Sequence, residues 1–411
     1  KFESVLLKSI LTKPQSITNK LPSDCTMNKK ITIVQMNPRR RFLTAKAISE
    51  LGLLEALHVH SSVFGKGLRI KTLALEYFDK KSVRNNFENL FKIQGDYNFF
   101  NYDSPLIFIK ERFFGNIYSY NKKMVQYFCK KVRKNISPSQ NVYAFSGCAL
   151  EIFEQQTGLC VLDQVALLPL DEVELLSRSA KPDEQWVAHM NYLHSRNLEE
   201  IDRADVVLCL YQQIEDSIKR WRPDAKTMII NHPCDVPKPK PLQKNKRLKF
   251  LFAGTKSIGK GVNLIEQWIL QSNRSQAIDF IICGGEGNYS LQKIEGRENV
   301  RILPHQNRDQ LNELYRTVDL CLFPEQQNAL GNTAFEAMEH GTPVLARKNE
   351  ILANGVNGFT FENDEDFFEI IENLSKLESI DFYRVGKNAL KITKERHINF
   401  KKEIFRAIYP E

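Results

Sequence analysis

The sequence predicts an α/β chain of two domains, and three observations carry that expectation. At 411 residues the chain exceeds what one hydrophobic core usually supports. Short apolar runs flank a segment of helix-forming composition in Val318 to Phe323, Ala334 to Glu339 and Val344 to Ala346, which read strand, helix, strand. Pro237 to Arg247, rich in Pro and Lys and apolar only at Leu242, reads as a linker between domains.

Composition narrows the class. With 42% hydrophobic and 26% charged residues the chain is an ordinary globular protein. No apolar run reaches the roughly 18 residues that a membrane-spanning helix needs. Lys8 and Lys13 interrupt the apolar residues near the start, so they form no secretory signal core. The eight cysteines lack CxxC or CxxxxH spacing. Cys209 and Cys321 lie inside strand runs and read as buried thiols, which suits a reducing cytoplasm.

Charge is unevenly placed. Residues 1–150 hold 25 Lys and Arg against 10 Asp and Glu, a net of +15, whereas residues 151–411 hold 33 against 39, a net of −6. The first third therefore calls for an anionic partner or presents solvated lysines. No zinc finger or RRM pattern supports nucleic acid, so none is expected; an anionic membrane surface or a phosphorylated lipid acceptor fits better.

Taken in order, residues 1–26 are polar with two prolines and read as an extension or linker. Ile31 to Val34 is strand-like and leads into Asn37-Pro38-Arg39-Arg40-Arg41, then a helix pattern from Phe42 through Leu54 that ends near Gly52. A basic loop after a first strand faces the crevice of an open sheet, which makes Arg39 and Arg40 acceptor-side candidates. Over residues 119–134 a helix carries Met124, Tyr127 and Phe128 on one side and lysines on the other, suited to a core position or a membrane interface.

Two strands then end in polar residues: Val142 to Phe145 before Ser146-Gly147, and Cys160 to Leu162 before Asp163-Gln164. Strand ends supply site residues, so Ser146 and Asp163 are candidates. An acidic helical stretch spans Asp171 to Glu184, and a long helix carries His189 and His194. Their spacing of five does not stack them on one face for a metal. Val206 to Leu210 and Ile229-Ile230 are the last strands before the linker.

Beyond the linker, Leu248 to Ala253 is a buried-strand run. It is followed by Gly254-Thr255-Lys256-Ser257-Ile258-Gly259-Lys260-Gly261 and a helix from Val262 to Leu270. Ile278 to Ile282 is a further strand and leads to the turn Cys283-Gly284-Gly285. After Val318 to Phe323 a polar loop runs to Gly331-Asn332-Thr333, where the first N–H groups and dipole of a helix can hold phosphate. Glu336, one turn in, can accept hydrogen bonds from sugar hydroxyls. Together these point to a nucleotide phosphate and ribose site.

The run from Val318 to Phe359 resembles the retaining glycosyltransferases of family 4. Glu336-Ala337-Met338, Gly341-Thr342-Pro343, Glu350, Gly355 and Asn357-Gly358-Phe359 follow that family's order. The resemblance spans about residues 27–408 and is strongest over 248–361. It implies the GT-B architecture, two Rossmann-like domains facing a cleft. Residues 27–237 form the acceptor domain, joined by a C-terminal helix over about 395–411; residues 238–247 form the linker and 248–394 the donor domain.

The implied reaction is transfer of a sugar from a nucleotide-sugar donor to an acceptor hydroxyl of a glycan, lipid-linked or protein acceptor, with retention and without bound metal or cofactor. The implied setting is cytoplasmic, or peripheral at the inner face of a membrane. Donor-binding positions carried by the resemblance are Gly254, Thr255, Lys260, Gly284, Asn328, Gly331, Asn332, Thr333 and Glu336. Asn328 and Asp163 hold the places nearest the chemistry. Three departures stand out: Asn328 replaces the first of the family's two Glu, Thr255 stands where Arg is usual, and no His follows Phe145. They leave open an alternative, a degenerate GT-B protein that binds nucleotide or serves as a scaffold.

Overall fold

The computed structural model describes residues 30–36, 42–60, 93, 97–102, 117–177, 182–235, 247–326 and 330–409. Two all-parallel sheets organise the described residues. In the first, the chain runs β1 (Ile31–Met36), α1 (Leu43–Glu50), β2 (Leu54–His60), β3 (Asn98–Tyr102), α2 (Ile117–Arg133), β4 (Asn141–Phe145) and a short α3 (Leu150–Phe153). It continues through β5 (Cys160–Gln164), α4 (Pro169–Ser177), α5 (Glu184–Asp202), β6 (Val206–Cys209), α6 (Gln212–Trp221) and β7 (Thr227–Ile229). The strand order is β3-β2-β1-β4-β5-β6-β7.

The second part runs β8 (Leu248–Ala253), α7 (Val262–Gln271), β9 (Ile278–Cys283), β10 (Val300–Leu303), α8 (Arg308–Thr317), β11 (Leu320–Phe323), α9 (Asn332–Glu339), β12 (Val344–Arg347), β13 (Phe359–Phe361), α10 (Asp364–Leu374) and α11 (Ser379–Ile408). Its six strands are ordered β10-β9-β8-β11-β12-β13. Continuous apolar runs form these strands because helices cover both faces of a parallel sheet. Phe250, Leu251, Leu320, Cys321 and Leu322 are all fully buried.

Each order reverses direction at one place, between β1 and β4 in the first sheet and between β8 and β11 in the second. At such a switch point the loops leaving neighbouring strands diverge to opposite faces and open a crevice at the carboxyl edge. The loops after β4, β8 and β11 are therefore the ones that can hold ligands.

Several boundaries differ from the sequence reading. The first helix stops at Glu50, because Gly52 takes a left-handed conformation (φ 73°), and Leu54 already belongs to β2. The acidic stretch from Asp171 divides into α4 and α5, where Asp183 caps the second helix by accepting from the Trp186 N–H at 2.8 Å. In α2, Met124, Phe128, Cys129 and Val132 are buried while Lys122, Lys123, Lys130 and Lys131 are exposed. The seven described cysteines are all buried and unbridged.

The 30-residue helix α11 ties the two sheets together. Its end buries Phe400, Ile404, Ala407 and Ile408 against the first domain. Glu403 accepts from the Asn231 N–H at 2.6 Å, and the Cys234 thiol donates to the Thr393 carbonyl at 3.0 Å. Among the described residues, no helix is long and apolar enough to cross a membrane.

Candidate functional site

At the second switch point two glycine-rich loops lie against each other. The Gly254 N–H donates to the Cys283 carbonyl at 3.0 Å, and the Lys256 N–H to the Gly285 carbonyl at 3.0 Å. Gly284 has φ +143°, and a Cβ there would stand 1.8 Å from the Gly254 oxygen, so only glycine lets the ends of β8 and β9 meet. Gly261 has φ +71°, and a Cβ there would lie 1.9 Å from the Pro324 carbonyl oxygen. That approach brings the Ile258–Lys260 turn onto the loop after β11, where the Gln326 N–H donates to the Gly259 carbonyl at 3.1 Å. Thr255 is exposed at the mouth of this arrangement, and Lys256 is engaged instead by Glu286 at 2.6 Å.

Lys260 Nζ donates to Glu325 Oε2 at 2.8 Å. The other oxygen of Glu325 lies 3.6 Å from a Cβ position at Gly331, which caps the N-terminus of α9. The Glu325 carboxylate thus lies between Lys260 and the start of α9. Residues of a first helical turn lack intrahelical acceptors for their N–H groups, so Gly331, Asn332 and Thr333 present a partial positive charge toward it. Lys, helix N-terminus and anion form the geometry of a phosphate site, with Glu325 holding the anion's position. Glu325 is a residue the sequence reading missed. Its signal was a carboxylate two residues after β11, at the mouth of the switch-point loop.

Glu336 is 5% exposed. Arg308 Nη1 lies 2.7 Å from its Oε1, and the Tyr315 hydroxyl donates to Oε2 at 3.4 Å. The carboxylate expected to hold ribose is thus already charge-balanced by the first residue of α8. Arg308, 28 residues upstream, gives no local sequence signal, because strand order alone makes it a neighbour.

The first domain closes on α9 directly. The Asn332 side chain pairs with His232 Nε2 at 2.9 Å, and the His232 ring stacks on Phe335 at 4.3 Å between centroids. The Tyr211 hydroxyl donates to the Leu330 carbonyl. The N-terminal end of α9 is therefore built against the first domain, and a change in domain angle would move it.

On the first domain, the loop after β4 is fixed by a buried network. The Glu200 carboxylate accepts from the N–H groups of Gly147 at 2.6 Å and Ala149 at 2.9 Å, while Arg196 donates to the Gly147 carbonyl at 3.1 Å and pairs with Glu151. Burial raises the Glu200 carboxyl above the usual range, and Arg196 with those N–H groups acts against the rise. Ser146 sits at the edge of this loop, with its N–H on the Asp163 carbonyl at 2.9 Å. It lines a cavity of about 620 Å³ formed by the ends of β1, β2, β4 and β5 with α2, α4 and α5.

Asp163 is fully buried and accepts from the Tyr143 hydroxyl. The side chain that reaches the cavity from this strand is Gln164. Arg39, Arg40 and Asn328 lie outside the described residues. Of the expected donor positions, Gly254, Thr255, Lys260, Gly284, Gly331, Asn332, Thr333 and Glu336 come from the four strand-end and helix-start segments around one crevice. Among the described residues, no cluster of three His, Cys, Asp or Glu side chains could hold a metal.

Residues 237–391 match the family model described as "Glycosyl transferases group 1". The glycogen synthase of Chlamydia trachomatis serovar L2 is 28% identical over 156 residues, 35% of this chain and 32% of that protein. The D-inositol 3-phosphate glycosyltransferase of Salinispora arenicola is 32% identical over 82 residues, 18% of each chain. The matches to these two relatives span about a third or less of their lengths.

Among solved structures, WaaG, a glycosyltransferase involved in lipopolysaccharide biosynthesis, superposes with a TM-score of 0.64 at 13% identity over 93% of this chain and 100% of that one. Sucrose-phosphate synthase from Thermosynechococcus elongatus gives 0.60 at 15% identity over 92% and 97%. The chain has the GT-B fold, two parallel-sheet α/β domains of Rossmann-like type.

Proposed function

We propose that the protein is a glycosyltransferase that moves a sugar from a nucleotide-sugar donor to an acceptor hydroxyl with retention at the anomeric carbon. The observation that carries this reading is the convergence of Lys260, the α9 N-terminus and buried Glu336 within the segment that matches the glycosyl transferases group 1 family. In the reaction, the bond from the anomeric carbon to the diphosphate oxygen breaks and the nucleoside diphosphate leaves with the electron pair. The acceptor oxygen bonds to the same face and passes its proton to the leaving diphosphate oxygen. Lys260 and the N–H groups of residues 331–333 stabilise the charge that grows on the leaving diphosphate, and Glu336 accepts from ribose. No metal takes part in this reading. The acceptor is a glycan, lipid-linked or protein hydroxyl, and exposed lysines of α2 suit a peripheral place at an anionic membrane face on the cytoplasmic side.

A second reading, a nucleotide-binding protein without transfer, is favoured by one observation: Glu325 pairs with Lys260 where the diphosphate would bind. The two separate in one experiment. Wild type and Asn328→Glu are assayed for donor hydrolysis and transfer across UDP-, GDP- and ADP-sugars. Turnover by wild type supports the transferase. Nucleotide binding without turnover, with transfer gained in the Glu variant, supports the degenerate reading.

A further inference from the structure

The cavity on the first domain is lined by two side chains, Gln164 and Glu172, that present acceptor oxygens to it. Gln164 is 2% exposed and lines the cavity. Its Nε2 donates to the Ala166 carbonyl at 2.9 Å, which orients the amide, and its Oε1 is buried with no hydrogen-bond partner among the described residues. A buried acceptor left without a donor is destabilising, and a bound donor group relieves that.

The second is Glu172. Its neighbour Asp171 turns away from the cavity and accepts from Arg220 at 2.9 Å and from Trp221 Nε1 at 3.1 Å. Glu172 instead lines the cavity, and no hydrogen bond or ion pair engages it among the described residues. The Ile258–Lys260 turn of the second domain lies beside α4, because a Cβ at Gly259 would stand 3.8 Å from Leu176 Cδ2. Burial raises the Glu172 carboxyl above its ordinary value, and the positive charge of Lys260 pulls it back in part. The cavity therefore ends beside the place assigned to the donor diphosphate.

The remaining walls are mixed: Ser146 adds a hydroxyl, and exposed Asn121 and Lys122 stand at the rim away from Glu172's helix, on α2. Trp186 and Met190 offer apolar surface, and Arg196 is consumed by Glu151, Glu200 and the Gly147 carbonyl. A ligand that suits this lining has hydroxyl donors for two acceptors, an apolar face, and no negative charge near Glu172.

We infer that Gln164 and Glu172 select a neutral, hydroxyl-rich acceptor, a carbohydrate, by accepting hydrogen bonds from its hydroxyls, and that Glu172 disfavours an acceptor phosphorylated at the hydroxyl it contacts. This rests on the transferase reading only for the identification of the ligand as acceptor. A carboxylate beside a phosphate dianion is repulsive in a partly dry cavity, whereas a hydroxyl donating to a carboxylate forms a charge-assisted bond.

The test uses the full chain and saturation-transfer NMR with maltose, cellobiose, lactose and glucose 6-phosphate, with UDP, GDP and ADP affinity measured in parallel. Wild type should bind at least one neutral disaccharide and bind glucose 6-phosphate more weakly. Gln164→Met, which keeps the volume, and Glu172→Leu should each weaken the neutral sugar by about fivefold or more, as loss of one buried hydrogen bond predicts. Glu172→Gln keeps an acceptor and removes the charge, so it should hold the neutral sugar and narrow the discrimination against glucose 6-phosphate.

The inference is overturned if wild type binds no neutral sugar, if it binds glucose 6-phosphate as well as the neutral ones, or if Gln164→Met and Glu172→Leu bind as wild type does. Retained nucleotide affinity in the variants reports that they fold. Sugar binding without any nucleotide binding in wild type would instead refute the transferase reading and leave the cavity assignment standing.

Discussion

Replacing Glu336 with Ala separates a ribose-binding role from a structural one. Two effects act at once. If the carboxylate holds ribose, its loss removes a charged acceptor worth about 1.5–3 kcal/mol, or roughly 10- to 150-fold in nucleotide affinity. Its loss also removes the carboxylate that pairs with Arg308, whose side chain is 14% exposed beside a Glu336 side chain at 7%. Breaking a buried pair on one side costs about 3–5 kcal/mol. The lower end applies here because Arg308 keeps some contact with water, and in a chain of this size that lowers Tm by roughly 5–10 °C.

The double variant Glu336→Ala with Arg308→Met removes the cation together with the carboxylate. It should recover most of the lost Tm while nucleotide affinity stays low. Calorimetric titration with UDP, GDP and ADP, together with thermal denaturation of wild type and the variants, reads both quantities. If the double variant regains affinity together with stability, or if Glu336→Ala binds as tightly as wild type, Glu336 does not hold the nucleotide.

Four further outcomes follow from the same geometry. Lys260→Ala should cost more affinity for a nucleoside diphosphate than for the bare nucleoside, because only the former presents the charge that Lys pairs with; equal losses by calorimetry would mean that the lysine acts through folding. Glu325→Gln removes the carboxylate paired with Lys260 at 2.8 Å; that partly exposed pair is worth no more than about 1 kcal/mol, so diphosphate affinity should tighten by up to about fivefold, and a weaker affinity would make Glu325 part of the binding surface. Gly284→Ala forces a side chain into φ +143° and 1.8 Å from the Gly254 oxygen, at a cost of roughly 1–3 kcal/mol or more; an unchanged Tm would contradict the close meeting of β8 and β9. Burial lowers His58 to about 3 and His60 to about 4, so between pH 6.5 and about 4 the unfolded chain binds protons that the folded chain does not. Stability should fall as the pH drops through that window, and a His60→Phe variant should lose less Tm than wild type between pH 7 and pH 5.

Several parts of this protein follow from local pattern along the chain. Short apolar runs mark β8, β9, β11 and β12 close to their observed limits, because a strand buried on both faces needs nothing but apolar side chains along its length. Gly261 and Gly284 stand in glycine-bearing turns after such runs, where backbones that approach within contact distance admit no side chain. The helix start at Gly331 to Thr333 and the carboxylate one turn later followed from spacing along one element. Packing of the elements in space sets which charges face each other across them. Arg308 reaches Glu336, Glu325 reaches Lys260 and His232 reaches Asn332 because β8 and β11 are neighbours at a switch point and the first domain folds back onto α9. Asp163 and Gln164 are adjacent in the chain, yet one turns to Tyr143 in the core and the other to the cavity. The alternation of a strand sends neighbours to opposite faces, and the sequence does not say which face carries the opening, since that depends on the helices packed against each side.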